Sequence, residues 1–106
     1  METKAYCFDI DGTICTTDCD YRDAKPFLHV IKYINKLYQL NNQIIMFTSR
    51  GSKSRKDWYE FTKKQIDDWG LNYHKLIMGK PQADYFIDDR GINIDNFCID
   101  NNIIKK

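Results

Sequence analysis

The chain lacks the features that would send it into a membrane, onto a nucleic acid or out of the cell. No apolar stretch in its 106 residues approaches the about 20 residues needed to cross a bilayer. Neither sign of charge dominates, since 16 Lys and Arg oppose 15 Asp and Glu for a net charge of +1, which argues against a nucleic-acid or membrane partner. Residues Met1 to Lys4 are polar and lack the apolar core of a signal peptide. We therefore expect a cytoplasmic protein.

Cysteine is present, but not in the pattern of a zinc site or a disulfide framework. Cys15 and Cys19 form a lone C-x3-C, His29 follows ten residues later, and Cys7 and Cys98 lie far to either side. A structural zinc site needs four ligands at familiar spacings. Without an export signal, we expect all four thiols to be reduced.

The composition is that of one folded domain. Hydrophobic residues make up 42% of the chain and aromatic residues 14%, enough to fill a core, which argues against disorder. There is no internal repeat and no low-complexity linker. A single domain over residues 1–106 is the prediction for this length.

Hydrophobic periodicity predicts an α/β fold with a parallel sheet, Rossmann-like and flanked by helices. The predicted helices run from Pro26 to the Asn41-Asn42 pair and from Ser54 to Trp69. The predicted strands are Ala5–Asp9, Gln43–Phe47, Tyr73–Met78 and Ala83–Ile87, with Ile92–Phe97 as a short last one. Gly12 to Lys25 is polar and is predicted to be a loop or short hairpin.

The most informative motif is Phe8-Asp9-Ile10-Asp11-Gly12-Thr13 at the end of the first strand. Residues i and i+2 of a strand point the same way, so Asp9 and Asp11 should project together. Gly12 then lets the backbone leave the strand in a conformation that other residues resist.

Further polar residues follow the other predicted strands. The carboxyl ends of parallel strands meet at one edge, where such sheets bind ligands. Thr48 and Lys80 should lie there with Asp9 and Asp11, and so should the Asp88-Asp89 pair. Two like charges about 4 Å apart repel by roughly 4 kcal/mol at an effective dielectric of 20. The acidic cluster therefore needs a cation, and oxygen ligands favour Mg²⁺.

A hydroxyl, an ammonium and paired carboxylates suit phosphoryl transfer. Thr48 and Lys80 could bind phosphoryl oxygens, and a carboxylate nucleophile beside Mg²⁺ describes an aspartyl-phosphate route. Simpler alternatives exist for each residue alone: a turn cap for Thr48, a solvated loop lysine for Lys80 and a turn for Asp88–Gly91. Arg50 could clamp a phosphate or pair with an acid, and Arg90 is a weaker candidate of the same kind.

Four segments in this order resemble the motifs of the haloacid dehalogenase superfamily of phosphatases. They are the Phe8–Thr13 hexapeptide, Phe47-Thr48, Gly79-Lys80-Pro81 and Ile87-Asp88-Asp89. The resemblance implies that Asp9 is the nucleophile and Asp11 the general acid and base, with Thr48 and Lys80 on the phosphoryl oxygens. It also implies a Mg²⁺ site formed by Asp9, the backbone carbonyl of Asp11, Asp88 and Asp89. Gly12, Thr13, Ser49 and Arg50 are the expected substrate contacts.

The chain departs from many superfamily members because it has no room for a cap domain. Only a loop and one helix separate Asp11 from Thr48, so the site should be open, with the Gly12–Lys25 and Thr48–Lys53 loops beside it. The Cys15–Pro26 stretch and the Phe-Thr-Ser-Arg-Gly-Ser run also resemble small capless members encoded with bacterial surface-polysaccharide enzymes. A neighbouring subunit that covers the open site is one expectation for specificity.

The sequence thus predicts a capless Mg²⁺-dependent phosphatase acting on a small phosphorylated metabolite, such as a sugar or polyol phosphate. One alternative is a phosphatase acting on a nucleic-acid end or a phosphoprotein. Another is a phospho-accepting receiver-like signalling module, and a third is an inactive binding subunit. Asp11 favours phosphatase over receiver, because a receiver does not need an acid two residues after its phospho-acceptor.

Overall fold

The computed structural model describes residues 2–52, 54 and 56–105. Met1, Lys53, Arg55 and Lys106 lie outside the described residues. Both ends of the predicted 1–106 domain fall there, as do the last residue of the Thr48–Lys53 loop and one position near the start of the second predicted helix.

The described residues form a three-stranded parallel sheet flanked by helices, so the α/β prediction is confirmed at this level. The strands are β1 (Ala5–Phe8), β2 (Gln43–Thr48) and β3 (Lys75–Met78), in the order β1-β2-β3. Phe8 pairs with Met46, and Thr48 pairs with Met78. This register ends all three strands at one edge, which positions the residues that follow them.

Strand β2 is central and carries much of the core. Its residues alternate between buried and half-buried, with Ile44, Met46 and Thr48 on the buried side. The predicted third strand begins two residues later than expected, at Lys75. His74 precedes it, and its Nδ1 accepts a 3.0 Å hydrogen bond from the Ile44 backbone N–H.

Helix α1 (Leu28–Gln39) packs on the sheet through an apolar face at helical spacing. Its buried residues are Val30, Ile31, Ile34 and Leu37. Asn41 follows with a φ of 69°, a left-handed conformation that asparagine tolerates at helix ends. The buried Asn42 amide then donates to the Leu37 carbonyl at 3.0 Å and accepts from the Lys4 N–H at 2.9 Å. Asn42 thus joins the end of α1 to the start of β1.

Helix α2 (Tyr59–Asp68) is shorter at its start than the predicted Ser54–Trp69. The chain before it turns back on itself at Gly51, where φ is 82° and a Cβ would collide with the Lys56 carbonyl oxygen. The Asp57 carboxylate then accepts a 3.0 Å hydrogen bond from the Tyr59 N–H and marks where the helix begins. Its stop at Gly70, with a φ of 79°, agrees with the prediction.

The two strands predicted after Lys80 are wrong. Residues 83–87 are not a strand, and every residue from 81 to 93 is exposed. Among the described residues, no backbone N–H from 82 to 89 donates to another backbone group. The apolar run was therefore not enough to predict a strand, because a strand also needs a neighbouring strand to pair with.

The segment predicted as the last strand is instead helix α3 (Ile94–Asp100). The Asn93 side chain accepts from the Asp95 N–H and caps it. Phe97 and Cys98 are three and four residues after Ile94, so all three reach the core from one helix face. No helix in the described part of the chain combines the length and apolarity that membrane crossing requires.

Candidate active site

The residues that follow the three strands meet at the carboxyl edge of the sheet. Asp9 directly follows β1, Thr48 ends β2, and Lys80 lies two residues after β3. The Lys80 N–H donates to the Thr48 carbonyl at 3.0 Å, and the Ser52 hydroxyl donates to the Lys80 carbonyl at 2.9 Å. Both backbone polar groups of Lys80 are thus held, which fixes the base of its side chain at this edge.

Asp9 forms an open ion pair with Lys80. The Lys80 Nζ lies 3.6 Å from Asp9 Oδ2, and the two side chains are 20% and 34% exposed. Burial raises the pKa of the Asp9 carboxyl above its usual range, while the Ile10 backbone and Lys80 oppose that rise. Asp9 therefore offers a carboxylate oxygen that is only partly desolvated and only loosely paired.

Asp11 lies two residues further on and is held tightly. The Arg50 Nε donates to Asp11 Oδ2 at 2.9 Å, and Nη2 donates to Oδ1 at 2.8 Å. The Asp11 side chain is 21% exposed, whereas the Arg50 side chain is not exposed at all. This bidentate geometry fixes the plane of the carboxylate as well as its position.

The remaining faces of the Arg50 guanidinium are also occupied. Nη1 donates to Gln65 Oε1 at 2.8 Å and to Thr62 Oγ1 at 3.3 Å. The Tyr21 ring lies 4.6 Å from the guanidinium carbon. Arg50 therefore joins Asp11 to α2 and to the loop that carries Tyr21.

That loop, residues 12–25, is more ordered than its polar composition suggests. Gly12 has a φ of 82°, and Ile14 and Cys15 are fully buried. The Phe27 N–H donates to the Ile14 carbonyl at 2.8 Å, and the Thr16 N–H donates to the Lys25 carbonyl at 2.9 Å. The two ends of the loop are thereby tied together through an isolated antiparallel bridge between Cys15 and Pro26, and residues 12–25 contain no strand, so the loop alternative describes them better than the hairpin.

Cys15 faces Asp11 from within this loop. Its Sγ lies 3.6 Å from Asp11 Oδ1 and 3.6 Å from the Ile10 carbonyl oxygen. Burial, and then the nearby Asp11 charge, raise the pKa of the Cys15 thiol to about 12. The thiol therefore stays protonated and acts as a weak donor to Asp11. All four cysteines are unpaired thiols, as expected.

The other predicted substrate contacts surround this edge. Thr48 is 1% exposed, and its Oγ1 accepts a 3.1 Å hydrogen bond from the Arg50 N–H, which leaves the hydroxyl proton to donate elsewhere. Gly12, Thr13 and Ser49 are half-buried. A depression of about 600 Å³ opens beside Lys80, lined by Ser52, Gly79, Pro81 and Gln82.

The contacts recorded for Asp88 and Asp89 are local ones. The Asp88 carboxylate accepts from the Arg90 and Gly91 N–H groups. Asp89 is 89% exposed on its side chain and lies 3.9 Å from Arg90. Both belong to the exposed segment 81–93, whose local contacts are those of a turn.

The resemblance implies a Mg²⁺ site formed by the Asp9, Asp88 and Asp89 carboxylates and the backbone carbonyl of Asp11. No group of three or more His, Cys, Asp or Glu side chains among the described residues is arranged to hold a metal ion. At the sheet edge, Asp9 and Asp11 each already face a cationic side chain, Lys80 and Arg50. The Mg²⁺ requirement therefore stays a prediction from the sequence.

The sequence did not indicate Tyr21, Thr62 and Gln65, which contact Arg50 in addition to Asp11. One pattern in the sequence could have indicated Gln65. It is a polar residue on a helix face that it shares with Trp58, Phe61 and Trp69. A polar side chain that is buried on such a face needs a hydrogen-bond partner.

No protein-family model and no curated protein matches this chain. A crystal structure of an MCSG target from Vibrio cholerae is similar to it, with a TM-score of 0.81 and 25% sequence identity. The match covers 90% of this chain and 87% of that one. This likeness concerns the fold across nearly the whole chain and names no activity.

Proposed function

We propose that this chain is a capless phosphatase of the haloacid dehalogenase type that hydrolyses small phosphomonoesters, such as sugar or polyol phosphates. The observation that supports it most is the loosely paired Asp9 carboxylate beside Lys80 at the open edge of the sheet, with the Thr48 hydroxyl at the same edge. A nucleophile, a cation and a hydroxyl donor at one strand edge suit an incoming phosphoryl group.

In the proposed reaction, an Asp9 carboxylate oxygen attacks the phosphorus atom and the bond from phosphorus to the leaving oxygen breaks. Asp11 must enter this step protonated, and it gives that proton to the leaving oxygen. A water molecule then attacks phosphorus and loses its proton to Asp11, and the bond from Asp9 to phosphorus breaks to release inorganic phosphate. Lys80 and Thr48 hold the phosphoryl oxygens throughout.

Two features of the molecule fit a small substrate with a polar body. The depression beside Lys80 is open and is lined in part by the polar side chains of Ser52 and Gln82. No separate cap covers the sheet edge in the part of the chain that the structure describes. Contacts to the rest of the substrate would thus come from loops, with the Gly12–Lys25 loop nearest to Asp11.

Mg²⁺ belongs to the proposal as a predicted cofactor, on the strength of the aspartate pattern in the sequence. A divalent cation there would neutralise charge on the phosphoryl group. Activity measured with added Mg²⁺ and again in excess chelator tests this part by itself. Full activity in chelator would remove Mg²⁺ from the proposal and leave the Asp9 chemistry standing.

The deciding experiment is hydrolysis of 4-nitrophenyl phosphate by wild type and Asp9→Asn, with Asp68→Asn as a matched surface control. Asp68 pairs with Lys64 on the exposed side of α2, so its change should leave turnover intact. Asp9→Asn should lower turnover by several orders of magnitude, because the attacking oxygen loses its charge. Acid-quenched mass spectrometry should find a phosphorylated peptide containing Asp9 in wild type alone.

Other outcomes would point elsewhere. Turnover retained in Asp9→Asn would reject the covalent route. A phospho-Asp9 that accumulates in wild type and decays slowly, with little turnover, would favour the receiver-like module instead.

A further inference from the structure

Arg50 has an unusual environment for a residue predicted to touch substrate. It is among the most buried side chains of the described residues, at 2% exposure for the whole residue and none for the side chain. Burial alone does not distinguish it from Thr48, which is 1% exposed. What distinguishes Arg50 is that other side chains already bind its guanidinium, so a substrate phosphate would have to displace them.

The donors of Arg50 are taken up by acceptors of the protein itself. Two go to Asp11 at 2.8 and 2.9 Å, and Nη1 serves Gln65 and Thr62. The guanidinium has five N–H donors, so four of the five have protein acceptors. The Tyr21 ring lies against one face of the same group.

Gln65 extends these contacts into a closed circuit. While its Oε1 accepts from Arg50, its Nε2 donates to the Tyr21 carbonyl at 2.8 Å. Tyr21 also packs edge-on against Trp58, with ring centroids 4.9 Å apart. Arg50 therefore holds both Asp11, at one end of the Gly12–Lys25 loop, and Tyr21, near its other end, against α2.

We propose that Arg50 is a positioning residue: it sets the orientation of the Asp11 carboxylate and the seating of the Gly12–Lys25 loop, and it does not bind the phosphoryl group. The role in catalysis rests on the proposed function, because it needs Asp11 to be the acid and base. This role requires the planar guanidinium fork of an arginine. Two parallel hydrogen bonds fix the orientation of a carboxylate, whereas a single ammonium group fixes only its distance.

Arg50→Lys is the informative variant, and Arg22→Lys is its control. The lysine keeps the positive charge and most of the length but loses the fork. Arg22 makes the same kind of fork to Asp20, at 2.8 and 2.7 Å, in the same loop but on the exposed surface. Any effect common to both variants is therefore unrelated to Asp11.

The readout is the ratio of kcat on glycerol phosphate to kcat on 4-nitrophenyl phosphate. An alkoxide needs a proton to leave, whereas nitrophenolate does not, so a misplaced general acid harms the first reaction selectively. Arg50→Lys should lower this ratio about tenfold or more. The KM of each substrate should stay close to its wild-type value. Partial unfolding lowers both rates equally and leaves the ratio unchanged.

A different pattern would overturn the proposal. If KM for both substrates and the inhibition constant of inorganic phosphate rise together while the kcat ratio holds, Arg50 binds the phosphoryl group. Equal losses of kcat on both substrates would make its role structural only. If Arg50→Lys does not fold, Gln65→Met removes the next link of the circuit and should lower the ratio in the same direction by a smaller factor.

An inactive wild type would count against the proposed function and not against the seating of the loop. Hydrogen exchange then decides the latter: Arg50→Lys should speed exchange at the Thr16 and Phe27 amides, whose bonds close the loop, while the amides inside α1 stay protected. Arg22→Lys should change neither set. Unchanged loop exchange in Arg50→Lys would overturn the positioning role even in that case.

Discussion

Asp9 and Asp11 are two residues apart and have opposite surroundings. An Asp9 carboxylate oxygen lies 3.6 Å from the Lys80 ammonium at the open edge of the sheet. The Asp11 carboxylate accepts two hydrogen bonds of 2.8 and 2.9 Å from Arg50, whose side chain has no exposed surface. A nucleophile must reach an incoming group, so a loose partner suits it. An acid and base must keep one orientation through two proton transfers, so a rigid partner suits it.

The largest expected effect on stability comes from the tight pair. Asp11→Asn leaves the Arg50 guanidinium buried without its counter-charge, which should lower the free energy of unfolding by about 3 kcal/mol. Asp9→Asn is the matched control, with the same chemical change two residues away, and should cause no loss. Urea denaturation of both variants measures the difference, and equal losses would show that the two carboxylates are energetically alike.

A smaller loss is expected from the second partner of Arg50. Thr62→Val keeps the shape of a buried side chain but removes the acceptor that lies 3.3 Å from Nη1. Nη1 keeps its shorter bond to Gln65 and loses only the longer one, so we expect a cost of about 1 kcal/mol. Urea denaturation of Thr62→Val and Asp11→Asn compares the two losses in free energy of unfolding. The comparison separates the contribution of the Thr62 hydrogen bond from that of the ion pair. A loss as large as that of Asp11→Asn would contradict this order.

The contribution of Asp9 to stability should depend on pH in the opposite sense to that of a carboxylate whose ionised form is stabilised by folding. Burial raises the pKa of Asp9 in the folded state above the ordinary 3.8, so the folded chain binds the proton more tightly than the unfolded chain does. The stability that this provides is complete below pH 3.8 and is lost as pH rises through the folded-state pKa. Asp9→Asn should therefore be more stable than wild type at neutral pH.

That gain should disappear in acid, where both proteins carry an uncharged group at position 9. Thermal melts at several pH values between about 3 and 7 measure it. A gain that is the same at every pH would show that the charge of Asp9 is not its cause.

The smallest effect is expected at Lys80. Lys80→Met removes a partly exposed ion pair of 3.6 Å and should change the free energy of unfolding by less than about 0.5 kcal/mol. The methionine can still pack its apolar stem near Phe86, whose ring lies 4.6 Å from Nζ in wild type. Turnover of a phosphomonoester should nevertheless fall, since the proposal gives Lys80 the phosphoryl oxygens. A large loss of stability would make the pair structural.

The sequence predicted the features that depend on local pattern. The apolar run before Asp9 and Asp11 predicted a strand that ends beside them, and helical spacing found the buried face of α1 with Val30 and Ile34. Both patterns are local in the chain, and the side chains that produce them lie on regular elements. The sheet edge that unites Asp9, Thr48 and Lys80 followed from the rule that parallel strands end together.

The features that depend on distant partners could not be predicted in this way. Arg50 was equally compatible with a phosphate clamp and an ion pair, because its choice of Asp11 depends on a contact 39 residues away in the chain. The run Ala83–Ile87 has the composition of a buried strand, yet a strand needs a paired neighbour as well as apolar side chains. That neighbour is a property of the whole fold.

Strand β1 has one further consequence, for solubility. In the described residues it pairs with β2 on one side alone, so its other side presents backbone donors and acceptors that another chain could pair with. Its four residues, Ala-Tyr-Cys-Phe, carry no charge, but Lys4 precedes them and Asp9 follows. Charges at both ends of a short edge strand discourage pairing between molecules.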